Sequence, residues 1–176
     1  LSYDKLSRAM YASAFLSFDH LTPDQAEVLK QCLELKRCCV NGAAGTGKSV
    51  VAAHRVVHEL TNVDHAHVLF VAPSRALGII FCKWVCSLLT QQEMSAPSLI
   101  HRLHVLYKQP DSTEMTKISV KNKQFVEETS KVAYSLVVVD EAHHLLMQPE
   151  TRKAITPYLA GCNVLLLTDD SQAAAM

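Results

Sequence analysis

Lys48 and Ser49 close the stretch Asn41-Gly42-Ala43-Ala44-Gly45-Thr46-Gly47-Lys48-Ser49, which holds three of the chain's five glycines. Gly42, Gly47, Lys48 and Ser49 match the spacing G-x-x-x-x-G-K-[ST]. Glycines let the backbone curl until successive N–H groups point inward at phosphate oxygens. The span Gly42, Ala43, Ala44, Gly45, Thr46, Gly47, Lys48 and Ser49 is therefore the expected cradle for a nucleoside triphosphate such as ATP. In that chemistry the lysine reaches the β- and γ-phosphates and the serine hydroxyl ligates Mg2+. About ninety residues later, the apolar run "YSLVVV" ends in Asp140-Glu141. Asp140 would hold Mg2+ through water, and Glu141 would orient or deprotonate the attacking water. For Asp140 alone, a plain helix cap running into the segment through Leu146 is the competing reading.

These residues need a sheet edge to converge on. "RCCVN", "AHVLFVAP", "YSLVVVDEA" and "NVLLLTDD" read as buried strands. Helices are expected from Thr22 with Pro23 at its first position, over Val50 to Leu60, over Arg75 to Leu89 and over Thr151 to Leu159. In the first of these, Ala26, Leu29 and Leu33 recur at helical spacing. "SLIHRLHVLY" suits strand or helix, and the polar run Lys108 to Lys131 reads as a loop with a helix near its end. Strands alternating with helices give an α/β fold with a parallel sheet flanked by helices. The 176 residues are 49% hydrophobic and 19% charged, with zero net charge, which excludes a disordered chain and a generally basic nucleic-acid coat. No apolar run reaches the length of a membrane span, and the start of the chain has no features of a secretion signal. The first residue is Leu1, so a piece of a longer protein is expected. Six cysteines, mostly in apolar periodic segments, read as free thiols of an intracellular protein, in cytoplasm or nucleus. No cysteine–histidine set has zinc spacing; Cys82 and Cys86 can share a helix face without further ligands.

Beyond the phosphate loop, the chain resembles superfamily 1 helicases of the UvrD-like branch, with a weaker likeness to the helicase-like portion of Schlafen proteins. "LTPDQAEVL" (21–29) looks like the N-terminal glutamine motif, and the likeness implies that Gln25 reads the adenine edge. "VLFVAPSRAL" and "SLIHRL" resemble motifs Ia and Ib, which lie along single-stranded DNA or RNA in that family. "VVVDEAHHL" resembles motif II and "LLLTDDSQ" motif III, which implies that Gln172 senses the γ-phosphate. The family's usual D-E-x-Q is Asp140-Glu141-Ala142-His143 here, which is similar to the DEAH box of superfamily 2, although that group's S-A-T motif is absent. The resemblance implies a RecA-like P-loop ATPase domain over 21–176 after a helical lead-in over 1–20. A second RecA-like domain, bearing the completing arginines, would lie outside this chain.

Lys48, Glu141 and Gln172 are thus the expected catalytic residues, and Ser49 and Asp140 the expected Mg2+ ligands. Two other readings stay open: an AAA+ or STAND-type switch in which Thr168 is the sensor, and a nucleotide-binding regulatory module without turnover. His54 and Arg55 are expected on exposed helix surface, and Trp84 in the core; Ser74-Arg75 and His101-Arg102 could touch a phosphodiester, against a helix cap at Ser74 and a plain amphipathic surface at His101-Arg102. The lysines 117, 121, 123 and 131, balanced by Glu114, Glu127 and Glu128, are expected to form a solvated face.

Overall fold

A computed structural model describes residues 20–109, 112 and 114–169. The helical lead-in expected over 1–20 falls outside this range except for His20, as does Gln172. Helix α1 (Pro23–Glu34) leads into strand β1 (Arg37–Asn41), followed by α2 (Lys48–Asn62), β2 (Val68–Ala72) and α3 (Arg75–Gln91). A short α4 (Ala96–Leu99) and a 3-10 turn (Ile100–Arg102) precede β3 (Leu103–Lys108). Then come β4 (Met115–Lys121), β5 (Gln124–Glu127), β6 (Leu136–Val139), α5 (Ala142–Met147), α6 (Pro149–Ile155), a second 3-10 turn (Thr156–Leu159) and β7 (Asn163–Thr168).

The seven strands make one sheet in the order β1-β7-β6-β2-β3-β4-β5. The first five in that order run parallel, and β4 and β5 return antiparallel at one edge. Strand alternation divides the core cleanly. Val68, Phe70 and Ala72 of β2 face the cluster built with α1, α2 and α3, while Leu69 and Val71 face the one built with α5 and α6. Both faces are covered, which is why the parallel strands are apolar without interruption. Each such buried Val or Leu contributes roughly 1.5–3 kcal/mol.

Three expectations are corrected. The polar run is not a loop with a helix: it is the β4–β5 hairpin, whose Asn122 and Lys123 take left-handed φ of 51° and 63° at the turn. That pair of positive φ angles suits the twist of a two-residue hairpin. Its legible signal was Ile118 and Val120 alternating with lysine and serine. On α1 the buried face carries Val28 and Cys32 with half-buried Leu29, whereas Ala26 and Leu33 are exposed. Finally, Arg55 is buried, not exposed; its guanidinium donates to Glu59 at 2.6 Å, one helical turn on, and both residues are under 5% exposed. Removing either partner would strand a buried charge, a loss of about 3–5 kcal/mol.

Behind the hairpin the expected solvated face is partly a buried polar cluster. Glu128 pairs with Lys121 (2.9 Å) and accepts from the Ser130 amide (2.9 Å) and Ser119 Oγ (3.1 Å), so its carboxyl is held far below the usual range. His104 Nδ1 lies 2.9 Å from the Tyr134 hydroxyl, and burial pushes the imidazole down to about 4.

Candidate nucleotide site

Strand β1 delivers the chain to the carboxyl edge of the sheet, and α2 carries it away. Between them the loop turns at Gly45 and Gly47, with φ of 80° and 88°. A side chain at Gly47 would be strained by that φ, and its Cβ would fall 2.3 Å from Gln25 Nε2. The Lys48 amine folds back over the loop, donating to the carbonyls of Gly42 (2.6 Å) and Ala43 (3.0 Å). Thr46 Oγ1 donates to the Ala43 carbonyl at 2.9 Å, which closes the turn, while Ala44 sits exposed at its outside. Ser49 lies half-buried in the first turn of α2, where the helix dipole favours anions.

Helix α1 braces this loop. Thr22 caps the helix and forms a reciprocal box with Gln25: Thr22 Oγ1 accepts from the Gln25 amide N–H (3.3 Å), and Gln25 Oε1 accepts from the Thr22 N–H (3.1 Å). The other end of the same carboxamide, Nε2, donates to the Thr46 carbonyl at 3.2 Å. Gln25 is thus brought to the phosphate loop. Each end of its amide keeps one further hydrogen-bond position, because the NH2 has two protons and the oxygen two lone pairs.

The carboxylates arrive from β6, two strands away across β7. Parallel register sets Asn41 beside Thr168 and Val139 beside Leu166, so loop and carboxylates share one edge, about 10 Å apart at the usual strand spacing. Asp140 hangs from β2 through its N–H to the Val71 carbonyl (3.0 Å), and its Oδ1 accepts from the Glu141 N–H (3.1 Å). Burial first, then the Glu141 charge, push Asp140 up to about 6, while the Glu141 amide and the Lys48 ammonium pull the other way. Asp140 does not cap α5; the cap position is Glu141, whose carbonyl accepts from the N–H groups of His144 and Leu145. Glu141 sits there at φ 47°, ψ 44°, a left-handed conformation that costs a non-glycine residue about 1–2 kcal/mol. Strain of this kind clusters at functional sites.

The sequence reading missed two tethers. Thr168 Oγ1 donates to Asn41 Oδ1 at 3.1 Å, tying the end of β7 to the start of the loop. His143 Nδ1 accepts from the Asp169 N–H at 3.4 Å, and its Nε2 lies 3.5 Å from Glu141 Oε2. Neither has a local cue: Asn41 and Thr168 end β1 and β7, His143 lies on α5, and strand order alone brings each pair together. Other motif residues are dispersed. Ser74 caps α3 by accepting from the Leu77 N–H (3.3 Å), with Arg75 exposed beside the carboxyl edge. His101 and Arg102 stand before β3, hence at the opposite, amino edge.

Ser49 and Asp140 offer hard oxygen donors, a hydroxyl and a carboxylate, and this set fits Mg2+. Among the described residues, Glu141, His143 and His144 also present ligand atoms within 4.8 Å of one another. No helix among the described residues is long and apolar enough to cross a membrane.

Comparison with known proteins agrees with this fold. A profile described as DEAD/DEAH box helicase matches residues 22–169. No curated protein gives a sequence match. Among solved structures, the HK97 bacteriophage large terminase is similar with a TM-score of 0.55 and 17% identity, over 88% of this chain and 34% of that one. The large terminase ATPase domain of Thermus phage P74-26 gives 0.44 and 14%, over 76% and 59%. An arginine-to-alanine variant of that domain gives 0.48 and 14%, over 80% and 63%. At such identities the likeness concerns the fold, and the chain spans between 34% and 63% of those structures' lengths.

Proposed function

The chain belongs to the DEAD/DEAH box helicase family, and from that premise we propose that it binds and hydrolyses ATP as the first RecA-like motor domain of a protein acting on single-stranded DNA or RNA. The observation that carries the proposal is the convergence of Gly42–Ser49 and Asp140–Glu141 on one sheet edge.

In this reading the loop amides and Lys48 bind and orient the phosphates, exchanging the Gly42 and Ala43 carbonyls for phosphate oxygens. Ser49 and Asp140 would hold Mg2+, which would supply charge neutralisation at the phosphates. Glu141 orients the attacking water and accepts its proton. Gln25 meets the adenine with the free positions of its amide while keeping the loop braced. Gln172 senses the γ-phosphate, and an arginine from a second RecA-like domain meets the transition-state charge.

Gln25 and the Ile100-His101-Arg102-Leu103 turn support the superfamily 1 branch. The Asp140-Glu141-Ala142-His143 box and the His143–Asp169 contact support superfamily 2. A switch-type ATPase is a second reading, favoured by the Thr168 hydroxyl bonded to Asn41 at the loop's entrance. The test is ATP turnover by the intact protein with and without single-stranded DNA or RNA. Stimulation by nucleic acid is expected. Turnover indifferent to both polymers would support the switch, and ATP binding without turnover would support a regulatory module.

A further inference from the structure

Cys32 and Cys38 lie apart from the phosphate chemistry yet directly behind it. Cys32 is in the last turn of α1 and 3% exposed; Cys38 is the second residue of β1 and half-buried. Their sulfurs are 3.0 Å apart, across the short connection between helix and strand. The other cysteines are free as well, and Cys39 points away, its sulfur 3.5 Å from Thr168 Oγ1.

We propose that Cys32 and Cys38 are a modification site: a thiol pair that a peroxide converts reversibly to a disulfide, pinning α1 to the strand that feeds the phosphate loop. The half-buried Cys38 meets the oxidant. Its thiolate sulfur attacks one peroxide oxygen, the O–O bond breaks, and hydroxide leaves, giving the sulfenic acid. The Cys32 sulfur then attacks the Cys38 sulfur; the S–S bond forms and the S–OH bond breaks. The departing hydroxide takes the Cys32 proton as water. In sum, two thiols are oxidised, one peroxide is reduced and two waters form. Burial, then the adjoining Cys38, push the Cys32 thiol up to about 12 and keep it protonated, which leaves the first step to Cys38; the Arg55 charge opposes that rise. An external dithiol reverses the linkage by two exchanges: its first sulfur attacks one cysteine sulfur, its second displaces that cysteine, and it leaves as its own disulfide while both thiols are restored.

Position gives the linkage its consequence. Gln25 and Cys32 are seven residues apart, two helical turns, so they share one face of α1. The face that sets Gln25 against the Thr46 carbonyl sets Cys32 against β1. Oxidation therefore fixes the brace on the loop. This consequence rests on the proposed nucleotide reading; the linkage itself does not.

The experiment uses the whole chain carrying Cys39→Ser, treated with hydrogen peroxide, alkylated under denaturing conditions and digested with trypsin. Because cleavage falls at Lys36 and Arg37, a linked product joins peptide 31–36 to peptide 38–48. That product is expected, is lost with dithiothreitol, and is accompanied by severalfold slower amide exchange in α1. In Cys32→Ser the Cys38 sulfenic acid is expected to persist and to be trapped by dimedone. Separately alkylated peptides, or Cys38 overoxidised beside a free Cys32 thiol, would overturn the proposal. If the linkage forms but ATP affinity is the same in both redox states, the modification site stands and the coupling to the loop falls.

Discussion

Gln25→Glu isolates the brace between α1 and the phosphate loop. A glutamate keeps an oxygen for the Thr22 N–H, so the capping box survives. It has no proton to give the Thr46 carbonyl, which now sits about one hydrogen-bond length from Nε2. One net hydrogen bond is worth roughly 0.5–1.5 kcal/mol, and the half-exposed position favours the lower end. ATP affinity should therefore fall by about two- to fivefold, at roughly 1.4 kcal/mol per decade, with added loss from placing a carboxylate near phosphates. Unfolding by urea should shift by about 0.5–1 kcal/mol, the Thr46 bond alone, because the cap is intact. Gln25→Ala is the companion: it loses brace and box together, so stability should drop by about 1–2 kcal/mol. Competition titration of ATP against GTP then separates bracing from base reading. Loss of the brace weakens both nucleotides alike, whereas loss of adenine reading weakens ATP more. Wild-type ATP affinity in Gln25→Glu would refute the brace, and an unchanged ATP-to-GTP ratio in Gln25→Ala would refute adenine recognition.

Glu141→Gln in the intact protein should keep ATP binding and lose turnover, since the amide can still orient water but cannot take its proton; hydrolysis at the wild-type rate would remove Glu141 from the chemistry. His104 predicts an acid-side stability loss. Its folded pKa of about 4 lies below the unfolded value near 6.5, so the unfolded chain takes up the proton first. The contribution is whole above about pH 6.5 and is lost as pH falls towards 4, on the order of 3 kcal/mol at 1.36 kcal/mol per pH unit. Urea midpoints at pH 7 and pH 4.5 should converge in His104→Gln; an equal pH dependence in both proteins would assign the loss elsewhere.

Local backbone chemistry made much of this site readable in advance. The glycine spacing, Lys48 and Ser49 demanded a strand–loop–helix passage, and apolar runs without alternation announced strands covered on both faces. Thr22 and Pro23 announced a helix start. What escaped the reading depends on partners far away in the chain. Arg55 resembles a surface residue until Glu59 and the walls of the core surround it. The hairpin of β4 and β5 hid in a lysine-rich run because an edge strand needs only one apolar face. Val28 and Cys32, not Ala26 and Leu33, form the buried face of α1 because its angle on β1 is set by packing. The tethers Thr168–Asn41 and His143–Asp169 arise from strand order, which no local pattern states.

The central claim is that Gly42–Ser49 is a phosphate site with Lys48 as its cation. Titration calorimetry of Mg·ATP on the chain and on Lys48→Ala tests it most directly, with thermal unfolding of both confirming that the loop's fold survives loss of the Gly42 and Ala43 bonds. A charge-assisted contact is worth about 1.5–3 kcal/mol, so affinity should fall by roughly tenfold to a hundredfold. Equal affinity in the two proteins would contradict the assignment.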